Sequence, residues 1–162
     1  MGGLNHDFDV EGLDRVNMKL PYGQDEVIDA LLKAVPDTVV CMYAGAPVEM
    51  PWAEKAKAIL WSYYAGMEGG TALAEILSGK VNPSGKLAET FIRDASQCPA
   101  HTIGTFGKKD RVEYREGVMV GYRYYDTKKQ MSCSRLVMDF PIRHLPIMIL
   151  KLYGSRKMAD RP

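Results

Sequence analysis

The chain has 162 residues, enough for one domain with a real core, and its 46% apolar and 25% charged residues are the ordinary balance of a globular protein. A formal net charge of +1 argues against nucleic acid or an anionic membrane surface as a partner. The three cysteines, Cys41, Cys98 and Cys133, are widely spaced with no CxxC pair, so they suggest neither a zinc site nor a disulfide framework.

The first twenty residues are rich in Gly, Asn and Asp and read as a loop, with no basic stretch before an apolar segment and so no visible signal peptide. A helix is predicted over 24–35, where Val27, Ile28, Leu31, Leu32 and Val35 recur at helical spacing and Asp25 and Glu26 suit the positive end of the dipole. Pro36 and Asp37 stop it. Residues 38–43 (TVVCMY) read as a buried strand ending in a turn, which makes Cys41 a buried thiol, and 58–63 (AILWSY) read as a second strand. Residues 66–70 are a turn, and 71–77 form a helix packed through Ala72, Leu73, Ile76 and Leu77, with Gly79 as its stop. Residues 82–85 (NPSG) are a turn, 87–92 a possible strand and 93–109 loop-like, before an aromatic-rich segment at 112–125. The late apolar run 146–150 is far too short to span a bilayer. Helix, strand, strand, helix in short alternation predicts an α/β fold with a largely parallel sheet and an incomplete core.

Several motifs fail when tested against the chemistry they would serve. Residues 79–86 (GKVNPSGK) have the outline of a phosphate-binding loop, but the gap between glycines is one residue too long. Leu87 stands where a magnesium-binding hydroxyl belongs, and Pro83 removes a backbone donor. Gly66, Gly69 and Gly70 lack the spacing of the dinucleotide fingerprint. His6, His101 and His144 have no partner at metal-ligand spacing, and Pro83 disqualifies Asn82 as a glycosylation acceptor. Tyr122, Tyr124 and Tyr125 could form a strand face, a sugar-stacking platform or a packing cluster, with packing favoured. The densest carboxylate cluster is 7–15 (DFDVEGLDR), which by composition alone is a solvated surface or a weak calcium site without the spacing of the twelve-residue calcium loop. Within it, Gly12 would let the backbone turn tightly and point the carboxyl group of Glu11 at a substrate.

Five segments, in order, resemble the C-terminal α/β-sandwich domain of family 3 glycoside hydrolases. They are 3–15 (GLNHDFDVEGLDR) with Leu20, Pro21 and Gln24, 45–52 (GAPVEMPW), 59–70 (ILWSYYAGMEGG), 76–87 (ILSGKVNPSGKL) with Thr90 and Phe91, and 114–126 (YREGVMVGYRYYD). The resemblance covers roughly residues 3–130 and implies a partial α/β sandwich, mostly parallel sheet flanked by helices, truncated at both ends. It also implies a β-glucosidase-like parent in which a (β/α)8-type barrel supplies an Asp nucleophile and this domain a Glu acid/base. In the EG-x-DR loop that Glu falls on Glu11, with Asp14 and Arg15 implied to support the loop through an ion pair; Trp52, Trp61 and the 82–85 turn are implied to be framework, and 122–126 to close the domain. The implied chemistry is retaining hydrolysis of a β-glucoside or short oligosaccharide, with the two carboxyl groups about 5 Å apart and the acid's pKa raised by a closed site and a neighbouring carboxylate. The chain contains no match to the nucleophile motif and has no room for the barrel, so it is expected to be inactive alone. No metal or organic cofactor is implied.

The family usually continues with a stretch close to LFPFGYGLSYTTFA. One possible coding of that stretch, read with its first base dropped, translates to the residues found from Cys133 to Pro146. Residues 1–130 are therefore expected to be the partial domain and 131–162 an out-of-frame tail. Two other functions remain open from the residues: a non-catalytic carbohydrate-binding or interaction module using the aromatic segment, and a small nucleotide binder, the latter disfavoured by the failed phosphate motifs.

Overall fold

The structure, a computed structural model, describes residues 1–107 and 110–130; the expected out-of-frame tail, with Cys133, His144 and the 146–150 run, lies outside them. Three parallel strands form the sheet in the order β1 (Gly2–Gly3), β2 (Val39–Tyr43), β3 (Ala58–Trp61). Gly2 and Gly3 stand opposite Met42 and Tyr43, and Val39 to Met42 opposite Ala58 to Trp61. The opening residues are thus not all loop: β1 contributes a two-residue strand, too short to leave a period-2 signal.

Helix α1 (Gln24–Ala34) connects β1 to β2, with Asp25 and Glu26 in its first turn and Lys33 in its last. Alternation along the strands divides their side chains between two faces. Val40 and Met42 of β2, and Ile59 and Trp61 of β3, join Ile28 and Leu32 of α1 in one core with Trp52 and Phe91. The i, i+4 pair Ile28 and Leu32 are the helix's buried apolar residues, whereas Val27 (59%), Leu31 (52%) and Val35 of the predicted apolar face are exposed. They lie on the stripe one residue round the helix, which the three-stranded sheet does not cover.

Leu60 points to the other face, where it lines a half-open apolar cleft of about 190 Å³ with Ala72, Leu73 and Ile76 of α2 (Gly69–Leu77). The expected packing of α2 is only partly realised: Leu73 and Ile76 are half-buried, Ala72 and Leu77 exposed. Its C-terminal stop is Gly79, whose N–H donates to the Ile76 carbonyl at 3.0 Å.

Four later assignments change. Residues 82–85 run on without a turn, and 87–92 form no strand; Phe91 instead packs edge-on against Trp61, with ring centroids 4.7 Å apart. The 93–109 stretch contains a 3-10 turn at Ala95–Gln97 and α3 (Pro99–Thr102). Asp94 caps the first by accepting from the Ser96 N–H, and Pro99 opens the second. The tyrosine segment is a short helix, α4 (Tyr122–Thr127), not a strand; Tyr125 is buried, its hydroxyl pushed up to about 12 by that burial, while Tyr122 is exposed. Packing is therefore the role of Tyr125, which half-buried Tyr124 meets edge-on with ring centroids 5.5 Å apart.

Cys41 is buried as expected, and burial pushes its thiol up; both tryptophans, expected as framework, are buried too. Trp52 Nε1 donates to Asp25 Oδ1 at 2.7 Å. Burial raises the Asp25 carboxyl above its ordinary 3.8, against the lowering effect of the Trp52 bond. A raised folded-state value means that this group's stabilisation is fully present below about 3.8 and fades as pH rises through the folded value. In urea titrations at pH 7, Asp25→Ala is expected to cost about 1–3 kcal/mol by stranding the buried indole donor. Asp25→Asn, which still accepts from Trp52, should cost less than half as much; equal losses would contradict the role given to this bond.

Candidate active site

In a parallel sheet the carboxyl ends of the strands share one edge, the usual place for ligands in open α/β sheets. Each strand here feeds a loop at that edge: β1 leads into the acidic loop, β2 into Ala44 to Pro47, and β3 into Ser62 to Glu68. The acidic loop therefore faces two other loops as a result of topology, although they are distant in sequence.

The loop's entry is fixed by the side-chain amide of Gln24, which imitates a neighbouring strand. Gly3 N–H donates to Gln24 Oε1 at 2.8 Å, and Gln24 Nε2 donates to the Gly3 carbonyl at 2.9 Å. The chain then turns through Asn5 to Asp9, with the amides of Phe8 and Asp9 both donating to the Asn5 carbonyl. Phe8 packs edge-on against Tyr22 with centroids 5.2 Å apart, and Tyr22 takes a left-handed backbone (φ 59°). Asp9 Oδ2 accepts from the Gly45 N–H at 2.9 Å and from the Tyr64 hydroxyl at 2.5 Å.

Glu11 sits at the tip. Val10 and Leu13 form an antiparallel bridge around a Glu11–Gly12 turn, with Gly12 at φ 82°, the positive value a type II turn requires at its third position. Glu11 is exposed, and among the described residues its carboxylate has no hydrogen-bond or ion-pair partner. A depression of about 330 Å³ lies beside the loop's base, lined by Gly3, Asn5, Tyr22, Gln24 and Tyr43 among others, and Glu11 does not line it. The chain places this carboxyl group without enclosing it.

Asp14 and Arg15 do not form the expected ion pair. Asp14 is exposed, while half-buried Arg15 donates from Nη2 to the Pro47 carbonyl at 2.9 Å, binding the exit of the acidic loop to the loop after β2. Its Nη1 is buried with no partner. The guanidinium charge partly offsets the upward push that burial gives the Glu89 carboxyl, and the 83–90 segment meets this edge where the Ala88 N–H donates to the Tyr63 hydroxyl at 3.4 Å. The physical reason for the correction is reach: a backbone carbonyl at the neighbouring strand end meets the guanidinium, whereas the adjacent carboxylate projects to solvent.

Sequence reasoning brought out Glu11, Asp14 and Arg15 but missed Gln24, Gly45 and Tyr64, and gave Asp9 no role of its own. Their contacts span 21 to 55 residues and leave no local periodicity.

Comparison with known proteins places this geometry in context. Residues 1–122 match the model of the glycosyl hydrolase family 3 C-terminal domain. The chain is 47% identical over 133 residues to a probable beta-glucosidase J of Neosartorya fischeri, covering 82% of this chain and 15% of that protein. It is 48% identical over 126 residues to the thermostable beta-glucosidase B of Acetivibrio thermocellus, covering 78% and 17%. The fold superposes on a Kluyveromyces marxianus beta-glucosidase solved with glucose at a TM-score of 0.78 and 39% identity, over 83% of this chain and 16% of that one. The chain thus spans less than a fifth of the length of these relatives.

Proposed function

The chain belongs to glycoside hydrolase family 3, matching its C-terminal domain, and on that premise we propose that it is a piece of a retaining β-glucosidase-like enzyme, bearing the acid/base loop and inactive alone. Glu11 is the acid/base. In the first step it gives its proton to the glycosidic oxygen as an Asp of the barrel domain attacks the anomeric carbon and the aglycone leaves. In the second step its carboxylate takes a proton from the water that attacks the glycosyl-enzyme ester, freeing the sugar and the Asp.

The observation that carries this reading is the placement of Glu11: an unpartnered carboxyl group on a glycine turn at the carboxyl edge of the sheet, with the loop anchored only behind it. Asp14 and Glu26 are just as exposed; what singles out Glu11 is its place, on a glycine turn at the carboxyl edge of the sheet within the segment that resembles the family's EG-x-DR loop. The substrate class is a β-glucoside or short oligosaccharide, a reading supported for the β-glucoside by the beta-glucosidase relatives. Asp14 and Arg15 support the loop, Arg15 through the Pro47 carbonyl. Residues 131–162 form an out-of-frame tail beyond the domain, a reading supported by the shifted-frame translation that reproduces residues 133–146.

The purified chain is expected to release no chromophore from an aryl β-glucoside above background. A chimera in which residues 1–122 replace the matching segment of the Acetivibrio thermocellus relative should hydrolyse it. Turnover that copurifies with the isolated chain, or a folded but inert chimera, would overturn the proposal.

A further inference from the structure

We propose that Asp9 is the positioning residue of the acid/base loop, a latch whose single carboxylate oxygen ties the loop to the ends of β2 and β3 through Gly45 and Tyr64; this rests on the reading of Glu11 as acid/base. Oδ2 takes two hydrogen bonds from residues 36 and 55 positions away, one from each neighbouring loop. Hydrogen bonds to an ionised acceptor are shorter and stronger than neutral ones, so this one atom joins all three strand-end loops. Two residues further on stands Glu11, on the turn that the Val10–Leu13 bridge closes directly after Asp9.

Two further observations support the latch. A Cβ on Gly45 would lie 2.6 Å from the Tyr64 ring and 3.1 Å from Asp9 Oδ2, so the three groups fit only because residue 45 has no side chain. Tyr63 holds a left-handed backbone (φ 48°), unusual for an aromatic residue, while its ring rests against Trp61 at 6.3 Å. That turn brings Tyr64 back over Gly45 although the Tyr64 side chain stays largely in solvent. Backbone strain of this kind persists where surrounding contacts fix it and tends to gather at functional sites. With Tyr22 presenting its ring to Phe8 from a second left-handed position, two of the three such non-glycine residues among those described prop the acidic loop.

The test has two arms. In the full chain, the Tyr64 hydroxyl is raised first by burial and then by the hydrogen bond and charge of Asp9; Asp9→Asn should therefore lower its titration midpoint, read by NMR. The same variant, and Tyr64→Phe, should speed amide exchange of residues 8–14 by about tenfold or more. In the chimera, each variant should lower kcat by about 10- to 100-fold with little change in KM, because a misplaced acid loses rate rather than binding. The double variant should be no slower than the slower single, since the two side chains act as a unit. An unmoved Tyr64 midpoint with unchanged loop exchange would overturn the latch, as would unchanged kcat in both variants. If Glu11→Gln leaves the chimera's rate intact, the acid/base reading fails instead, and the first arm still decides whether Asp9 holds the loop.

Discussion

Glu11→Gln in the chimera is expected to lower kcat for an aryl β-glucoside by about 10²–10⁴-fold, the usual contribution of a positioned general acid or base. Glutamine keeps the length and shape of the side chain but holds no transferable proton. Because Glu11 is exposed and unpartnered among the described residues, the substitution should change stability by no more than about 0.5 kcal/mol. Loss of rate without loss of fold separates a chemical role from a structural one. The same substitution at Glu26, an exposed carboxylate in the first turn of α1, should leave the rate unchanged.

Trp61→Ala is expected to cost about 3–5 kcal/mol, the range for deleting a fully buried aromatic side chain. Trp61 has no exposed surface, meets Phe91 edge-on, and ends β3 immediately before the loop that presents Tyr64. For a domain whose total stability is typically about 5–15 kcal/mol, such a loss removes much of the folded population and takes the latch with it. The indole Nε1 is buried without a partner, so Trp61→Phe gives up packing volume but also relieves an unsatisfied donor and should cost clearly less. Urea denaturation followed by tryptophan fluorescence from the remaining Trp52, or by circular dichroism, reads both. A cost below about 1 kcal/mol for Trp61→Ala would mean that the β3–Phe91 contact is not the centre of the core.

The parts of the fold that were legible in the sequence are those written in local pattern. Helix α1 showed as a 3.6-residue repeat with a proline stop, β2 and β3 as short β-branched or apolar runs, and Gly79 as the end of α2. Parallel pairing followed from the alternation of helix and strand. Local pattern could not show which apolar stripe of α1 would find cover, because Val27 and Leu31 are as apolar as Ile28 and Leu32 and differ only in facing away from the sheet. It also could not show that 87–92 would pack by the Phe91 ring rather than by a backbone ladder. In the site, the Glu11–Gly12 turn was legible because glycine marks a left-handed position. The contacts of Asp9, Gln24, Gly45 and Tyr64 were not, because each is made across the edge of the sheet by residues whose types carry no special signal. Arg15 was expected to pair with Asp14 but donates to the Pro47 carbonyl, since a neighbouring carboxylate in sequence is a poor guide to the nearest acceptor in space.

The most direct test of Glu11 as proton donor is the leaving-group dependence of the Glu11→Gln chimera. With 2,4-dinitrophenyl β-glucoside, whose leaving group departs without protonation, formation of the glycosyl-enzyme should be nearly as fast as in the parent chimera. With an alkyl or sugar leaving group it should fall by the full factor expected above. Equal slowing for both substrates would contradict the account and reduce Glu11 to a residue of the loop.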